Sequence, residues 1–135
     1  MRISKLKIEN YRNLDGVAIS FDEDVTYIVG ENNLGKTNVL DLLNTIFNQA
    51  MISEEDFADT ERRSGAVVTL KMDEDEIGIS GIDIDPATGN TITVCAFADD
   101  PDSRIEFVAE ESGEKIPPFF YEIRSYVQVL YCIFQ

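Results

Sequence analysis

"YIVGENNLGKTNVLDLL", residues 27–43, decides the fold. It opens on a short apolar run, passes through a polar loop bracketed by Gly30 and Gly35, and ends on apolar residues at helical spacing. Residues 30–37, "GENNLGKT", satisfy every fixed position of the phosphate-binding pattern G-x-x-x-x-G-K-[ST]. Gly30 lets the chain turn sharply out of a strand, and Gly35 lets the backbone approach a phosphate with no β-carbon in the way. The N–H groups from Asn33 and Leu34 through Thr37 are expected to cradle phosphate oxygens at a helix N-terminus. Lys36 is the candidate ligand of the β- and γ-phosphates, the Thr37 hydroxyl of Mg²⁺, and Asn38 completes the candidate nucleotide-binding set. A strand before the loop and a helix after it are both read independently of the motif, which sharpens the match.

Working outward, "SKLKIENY" alternates Leu6 and Ile8 with Lys7 and Glu9, the mark of a half-buried strand. "NLDG" supplies a turn, and "VAISF" places Val17, Ile19 and Phe21 on one face of a second strand. "VTYIVG" reads as a third, more buried strand. After Lys36 the period changes: Val39, Leu43, Ile46 and Phe47, widened by Leu40 and Leu42, predict a helix ending near Gln49. "SEEDF" offers a short helix with Ser53 as cap and Asp56 answering it. Beyond Gly65 the chain is β-rich, with "AVVTLKM", "EIGISGIDI", "TITVCAFA" and "RIEFVAE" separated by turn-like clusters, which predicts an antiparallel meander. The final "YVQVLYCIFQ" is apolar on both faces of a strand, as though the sequence were cut short.

The totals fit a single domain of 135 residues, with no run long and apolar enough to span a membrane and no signal-peptide block. Cys95 and Cys132 fit no metal or redox spacing and read as two small core residues in a reducing cytoplasm. The net charge is −15, of which residues 1–50 carry −2 and residues 51–135 carry −13. A surface so negative repels a phosphate backbone, so the chain by itself is a poor partner for nucleic acid.

Over residues 1–48 the sequence resembles the N-terminus of the RecF/SMC/OLD group of ABC-type ATPases. The resemblance rests on "ISKLKIENYRNL", with its Asn10-Tyr11-Arg12-Asn13 element, on "VAISFDEDVTYIVG", and on "ENNLGKTNVLDLLNTIF". It is nearest to the overcoming-lysogenization-defect (OLD) type and to RecF. It implies a two-lobed ATPase head that binds ATP and Mg²⁺, closes as a dimer and acts on DNA in repair or phage defence. It also makes Arg12 a candidate phosphate contact, the alternative being a surface arginine after a strand. The group needs a magnesium-ligating glutamine, for which Gln128 and Gln135 are candidates against a plain strand role. It further needs a signature motif and a Walker B acidic pair. No signature-like stretch occurs, and the chain has no histidine. Asp99 and Asp100 follow an apolar run as a Walker B would, but the "PDS" after them predicts a hairpin turn. "DIDPATGN" lacks the closing glutamate of a calcium loop and also reads as a turn.

The resulting expectation is an α/β P-loop NTPase, the N-terminal lobe of an ABC-type head. It has a mixed sheet from strands at 2–10, 17–21 and 25–30, a P-loop helix and a meander. Residues 1–50 form the nucleotide-facing half and 51–135 an acidic β-rich lobe, with no linker between them. Such a head binds ATP without completing catalysis, reaches DNA only through other parts of its parent, touches no membrane, and pairs as a homodimer through an open C-terminal strand. The competing reading is a small nucleotide-binding or protein-interaction module without turnover.

Overall fold

A computed structural model describes residues 2–21, 35–49, 51–71 and 91–110. Among the described residues five strands form one sheet: β1 (Arg2–Glu9), β2 (Ala18–Ser20), β3 (Ser64–Lys71), β4 (Thr91–Ala98) and β5 (Glu106–Ala109). Their order across the sheet is β2-β1-β3-β4-β5, and every pairing is antiparallel. The expected third strand at 25–30, "EIGISGIDI", "DPATGN", "DEDE" and the apolar C-terminal run lie outside the described residues.

Strand alternation sorts the side chains into two faces. Leu6 stands between Ile19 and Val68, and Val68 is paired with Val94; Ile8, Ala66 and Ala96 form the next such row. Leu6, Ile8, Ala66, Val68, Val94 and Ala96 are all buried and belong to the core. The opposite face carries Lys5, Thr69 and Thr93 in one row and Lys7, Val67, Cys95 and Val108 in another. Cys95 is therefore not a core residue, as its composition suggested. It shares the parity of exposed Lys7, since Val94 and Ala96 already point inward. Burial raises its thiol pKa from the ordinary value.

Helix α1 (Gly35–Asn44) continues into one wider, π-type turn over Thr45–Gln49, so it ends where the apolar spacing places it. Val39, Leu42, Leu43, Ile46 and Phe47 are buried along one stripe and merge with the sheet's inner face in a single cluster. At the widened turn the Thr45 hydroxyl donates to the Asp41 carbonyl at 2.8 Å, satisfying one acceptor where the helical ladder loosens.

After α1 the expected capped helix is one 3-10 turn, Glu54–Asp56. Ser53 stands at its start but makes no side-chain cap bond, and the Asp56 carboxylate is drawn to Arg12 instead of back to the cap. Asp99 and Asp100 are exposed in the turn between β4 and β5, which Ser103 closes by donating from its hydroxyl to the Asp100 carbonyl at 2.6 Å. Among the described residues no helix is long and apolar enough to cross a membrane.

The tightest point of the sheet is Gly65. Its φ of +152° is outside the range of ordinary side-chain-bearing residues, and a β-carbon there would overlap the Ala96 carbonyl oxygen and lie 2.9 Å from Phe97 Cα. Both obstacles are backbone of the paired strand β4 and cannot rotate away. Gly65→Ala is expected to lower stability by at least about 2 kcal/mol in urea denaturation. A change within about 0.5 kcal/mol would show that β3 and β4 separate freely at this end.

Candidate functional site

The site is built where β1 ends. Asn10 and Arg12 both take left-handed backbone, φ 54° and φ 50°, so the chain leaves the sheet in a tight double bend. Asparagine tolerates this conformation and arginine seldom adopts it. The bend holds because each residue is bonded to a distant segment. Asn10, 1 % exposed, donates from Nδ2 to the carbonyls of Asp59 (2.7 Å), Arg62 (2.9 Å) and Arg63 (3.2 Å). Its Oδ1 accepts from the Asp59 N–H at 2.8 Å. Its own N–H donates to Asp15 at 3.0 Å; that bond, reinforced by Arg62, holds the Asp15 carboxyl below the ordinary carboxylate range.

Arg12 lies under α1. Its N–H donates to the Asp56 carbonyl at 2.8 Å and Nε to the Asp56 carboxylate at 2.9 Å, while Nη1 reaches Asn38 Oδ1 at 2.6 Å and Asp41 at 2.7 Å. Asn38 and Asp41, three apart on one helical face, converge on the same guanidinium. Burial works against the Arg12 charge, but the bonds to Asp41 and then Asp56 outweigh it, and its pKa is raised. Asn38, 8 % exposed, also donates from Nδ2 to Asn13 Oδ1 at 2.7 Å, so both ends of its amide are occupied.

Of the candidate nucleotide-binding residues, Gly30, Asn33 and Leu34 lie outside the described residues, as do Gln128 and Gln135. Gly35 and Lys36 occupy the first two positions of α1 and Thr37 the third, where it is exposed. The Asn38 side chain bonds Arg12 and Asn13. The first turn of α1 holds no acidic residue, and the first carboxylate along it, Asp41, is engaged by Arg12. No carboxylate of the first turn therefore offsets the positive end of the helix dipole, which favours an anion there. A lysine, an exposed hydroxyl and a glycine opening a helix are also the donor set that Mg²⁺-bound phosphate takes.

The AAA ATPase domain family matches residues 1–124. The chain belongs to that family. "DNA replication and repair protein RecF" of Oceanobacillus iheyensis is 46% identical over 43 residues, 32% of this chain and 12% of that protein. The RecF of Staphylococcus aureus strain JH9 is 44% identical over 46 residues, 34% of this chain and again 12% of the relative. The matched stretch of the chain thus spans 12% of the length of these curated relatives. A solved structure described as "Structural biochemistry of ATP-driven dimerization and DNA stimulated activation of SMC ATPases" shares its fold. The TM-score is 0.64 at 21% identity, over 93% of this chain and 76% of that one. The resemblance to RecF/SMC-like ABC-type ATPases is borne out at the level of family and fold.

Asp41, Asp56 and Asn13 were not singled out as site residues from sequence. The helical spacing of Asn38 and Asp41 carried a signal; nothing local marked Asp56, 44 residues from its partner.

Tyr11, between the two bent residues, is fully buried with its ring 5.1 Å from the Arg12 guanidinium carbon. Its hydroxyl has no hydrogen-bond partner among the described residues. Burial foremost, then the Asp56 charge, pushes its pKa up to about 12. The fold therefore prefers the neutral phenol, and that preference is complete below pH 10 and lost as pH rises from 10 toward about 12. Tyr11→Phe is expected to change stability at neutral pH by less than about 1 kcal/mol and to remove part of the loss between pH 10 and 12. Superposable alkaline profiles for the two proteins would mean that the phenol reaches water. Asn10→Ala strands three carbonyls and one N–H together. It is expected to cost about 3 kcal/mol in chemical denaturation, and a cost under about 1 kcal/mol would show that water replaces the amide.

Proposed function

We propose that the chain is the ATP-binding portion of an OLD/RecF-like ATPase that works on DNA in repair or phage defence. The observation that carries this reading is a complete phosphate-binding sequence, residues 30–37, running into a helix whose first turn is free of acid, within an AAA ATPase domain. Gly30, Asn33, Leu34 and Gly35 supply a backbone that a polyphosphate can approach. The N–H groups at the start of α1 face it, Lys36 neutralises the β- and γ-phosphates, and Thr37 gives its hydroxyl to Mg²⁺. Bound Mg²⁺ draws charge off the phosphate oxygens; the chain's part is to orient the nucleotide and fix its ion.

Turnover asks for more. A carboxylate must position the attacking water, and donors must meet the charge that develops on the γ-phosphoryl group. Asp99 and Asp100 are exposed in the β4–β5 turn. In the proposed reading the water-positioning carboxylate and those donors come from the rest of the parent and from a second head. The SMC work concerns ATP-driven dimerization and DNA-stimulated activation, and a homodimer closing on ATP is the counterpart proposed here. DNA is contacted through other parts of the parent, because this chain's charge of −15 opposes it.

Calorimetric titration with Mg·ATP, run beside phosphate-release measurements, tests the reading. The chain is expected to bind without turnover, and Lys36→Ala to weaken binding by about tenfold or more, the worth of a charged contact to phosphate. Equal affinity of the two proteins would overturn the assignment of Lys36. Turnover that Lys36→Ala abolishes would instead place a catalytic carboxylate within the chain.

A further inference from the structure

The Arg12 cluster deepens this reading and rests on it: we infer that Arg12 is a positioning residue that aims Thr37 at Mg²⁺ through Asn38, not a ligand of phosphate. Three observations carry the inference. Nε and Nη1 donate to Asp56, Asn38 and Asp41 at 2.6–2.9 Å, which fixes the guanidinium against α1 and the 3-10 turn. The cluster of one guanidinium and two carboxylates is negative overall. A nucleotide phosphate drawn onto Arg12 would therefore also approach Asp41 and Asp56 and meet like charge at short range. Finally, the Asn38 amide is gripped from both ends, by Arg12 on Oδ1 and by Asn13 on Nδ2.

The consequence runs through one peptide bond. Asn38 follows Thr37 directly, so the grip on the Asn38 side chain fixes the backbone from which the Thr37 hydroxyl projects. Arg12 in turn is held from the far side by Asp56, whose carbonyl and carboxylate both bind it. The bend after β1 and the 3-10 turn at Glu54–Asp56 thus act as a brace behind the first turn of α1. A hydroxyl is a weak ligand whose value depends on being held in place, and outer partners of metal ligands commonly govern affinity for the ion.

Arg12→Lys keeps the charge but cannot span three acceptors. Asp56→Ala removes the far anchor. ATP binding by each variant is to be titrated against Mg²⁺ concentration and repeated in EDTA, with thermal denaturation of the same samples. The expected result is about a tenfold higher half-saturating Mg²⁺ for both variants with ATP affinity in EDTA unchanged. If Arg12 held phosphate, Arg12→Lys would weaken binding in EDTA as well, and Asp56→Ala, by releasing the guanidinium, would strengthen it; that pattern overturns the inference. A lower denaturation midpoint with the Mg²⁺ requirement unchanged overturns it too, and leaves only a structural role. Failure of the unaltered chain to bind ATP overturns the nucleotide reading itself, which separates that failure from the other two.

Discussion

The described structure depends on a chain reversal that is locally unfavourable. After β1 the backbone enters the left-handed region at Asn10 and again at Arg12, and Gly16 enters it once more at φ 82°. The bend closes on itself: the Ile8 N–H donates to the Val17 carbonyl at 2.8 Å and the Gly16 N–H to the Ile8 carbonyl at 2.9 Å, which sets β2 beside β1. A left-handed arginine costs on the order of 1 kcal/mol or more, and it persists only where the surroundings over-determine it. Here they do, because Asn10 spends its side chain on the loop at 59–63 and Arg12 spends its own on α1 and on the 3-10 turn that follows it. The same bend therefore registers β2, the 59–63 loop and the helix against one another.

The polar chemistry inside that bend is asymmetric. Tyr11 gives its ring to the core and its hydroxyl has no partner within hydrogen-bond geometry among the described residues, whereas Asn10 and Arg12 on either side are satisfied by four or more bonds each. A half-buried guanidinium between two carboxylates is sensitive to which member is lost. Without one acid the charge remains paired; without the arginine, Asp41 and Asp56 face each other with no cation. Such clusters specify a geometry more than they add stability, and the geometry specified here is the seating of α1.

Much of this was legible from alternation and spacing. The parity of β1 followed from Leu6 and Ile8, the helix end from Ile46 and Phe47, and the β4–β5 turn from Asp99 through Ser103. These are short-range signals: a side chain's face is fixed by its neighbours two or four positions away. Strand order was not legible, because β3 could have paired with β2 or with the free edge of β1, and local sequence does not distinguish them. Nor was the brace legible. Asn10 and Arg12 find their partners 26 to 53 residues away, and a buried amide looks the same in sequence whether it meets three carbonyls or water. Cys95 was misread for a simpler reason, since a small apolar residue in a strand can occupy either face.

The charge distribution bears on what this surface can meet. Arg12 is spent on Asp41 and Asp56, Arg62 lies 3.4 Å from Asp15, and Arg63 lies 3.4 Å from Glu9 with its guanidinium carbon 3.8 Å from the Phe97 ring centroid. These cations answer the chain's own acids and aromatic rings, so their charge is not available to draw in a polyanion. Lys5 and Lys7 are exposed on the outer face of the sheet, but they share its shallow concavity with Glu110 and with the hydroxyls of Ser20, Thr69 and Thr93. Two lysines beside a carboxylate give a weak local field against a net −15. In the proposed reading ATP therefore enters where the helix start and Lys36 concentrate positive potential in an otherwise repelling surface. Long-range steering gives it no help, so affinity has to come from geometry at short range, which is what a braced first turn of α1 supplies.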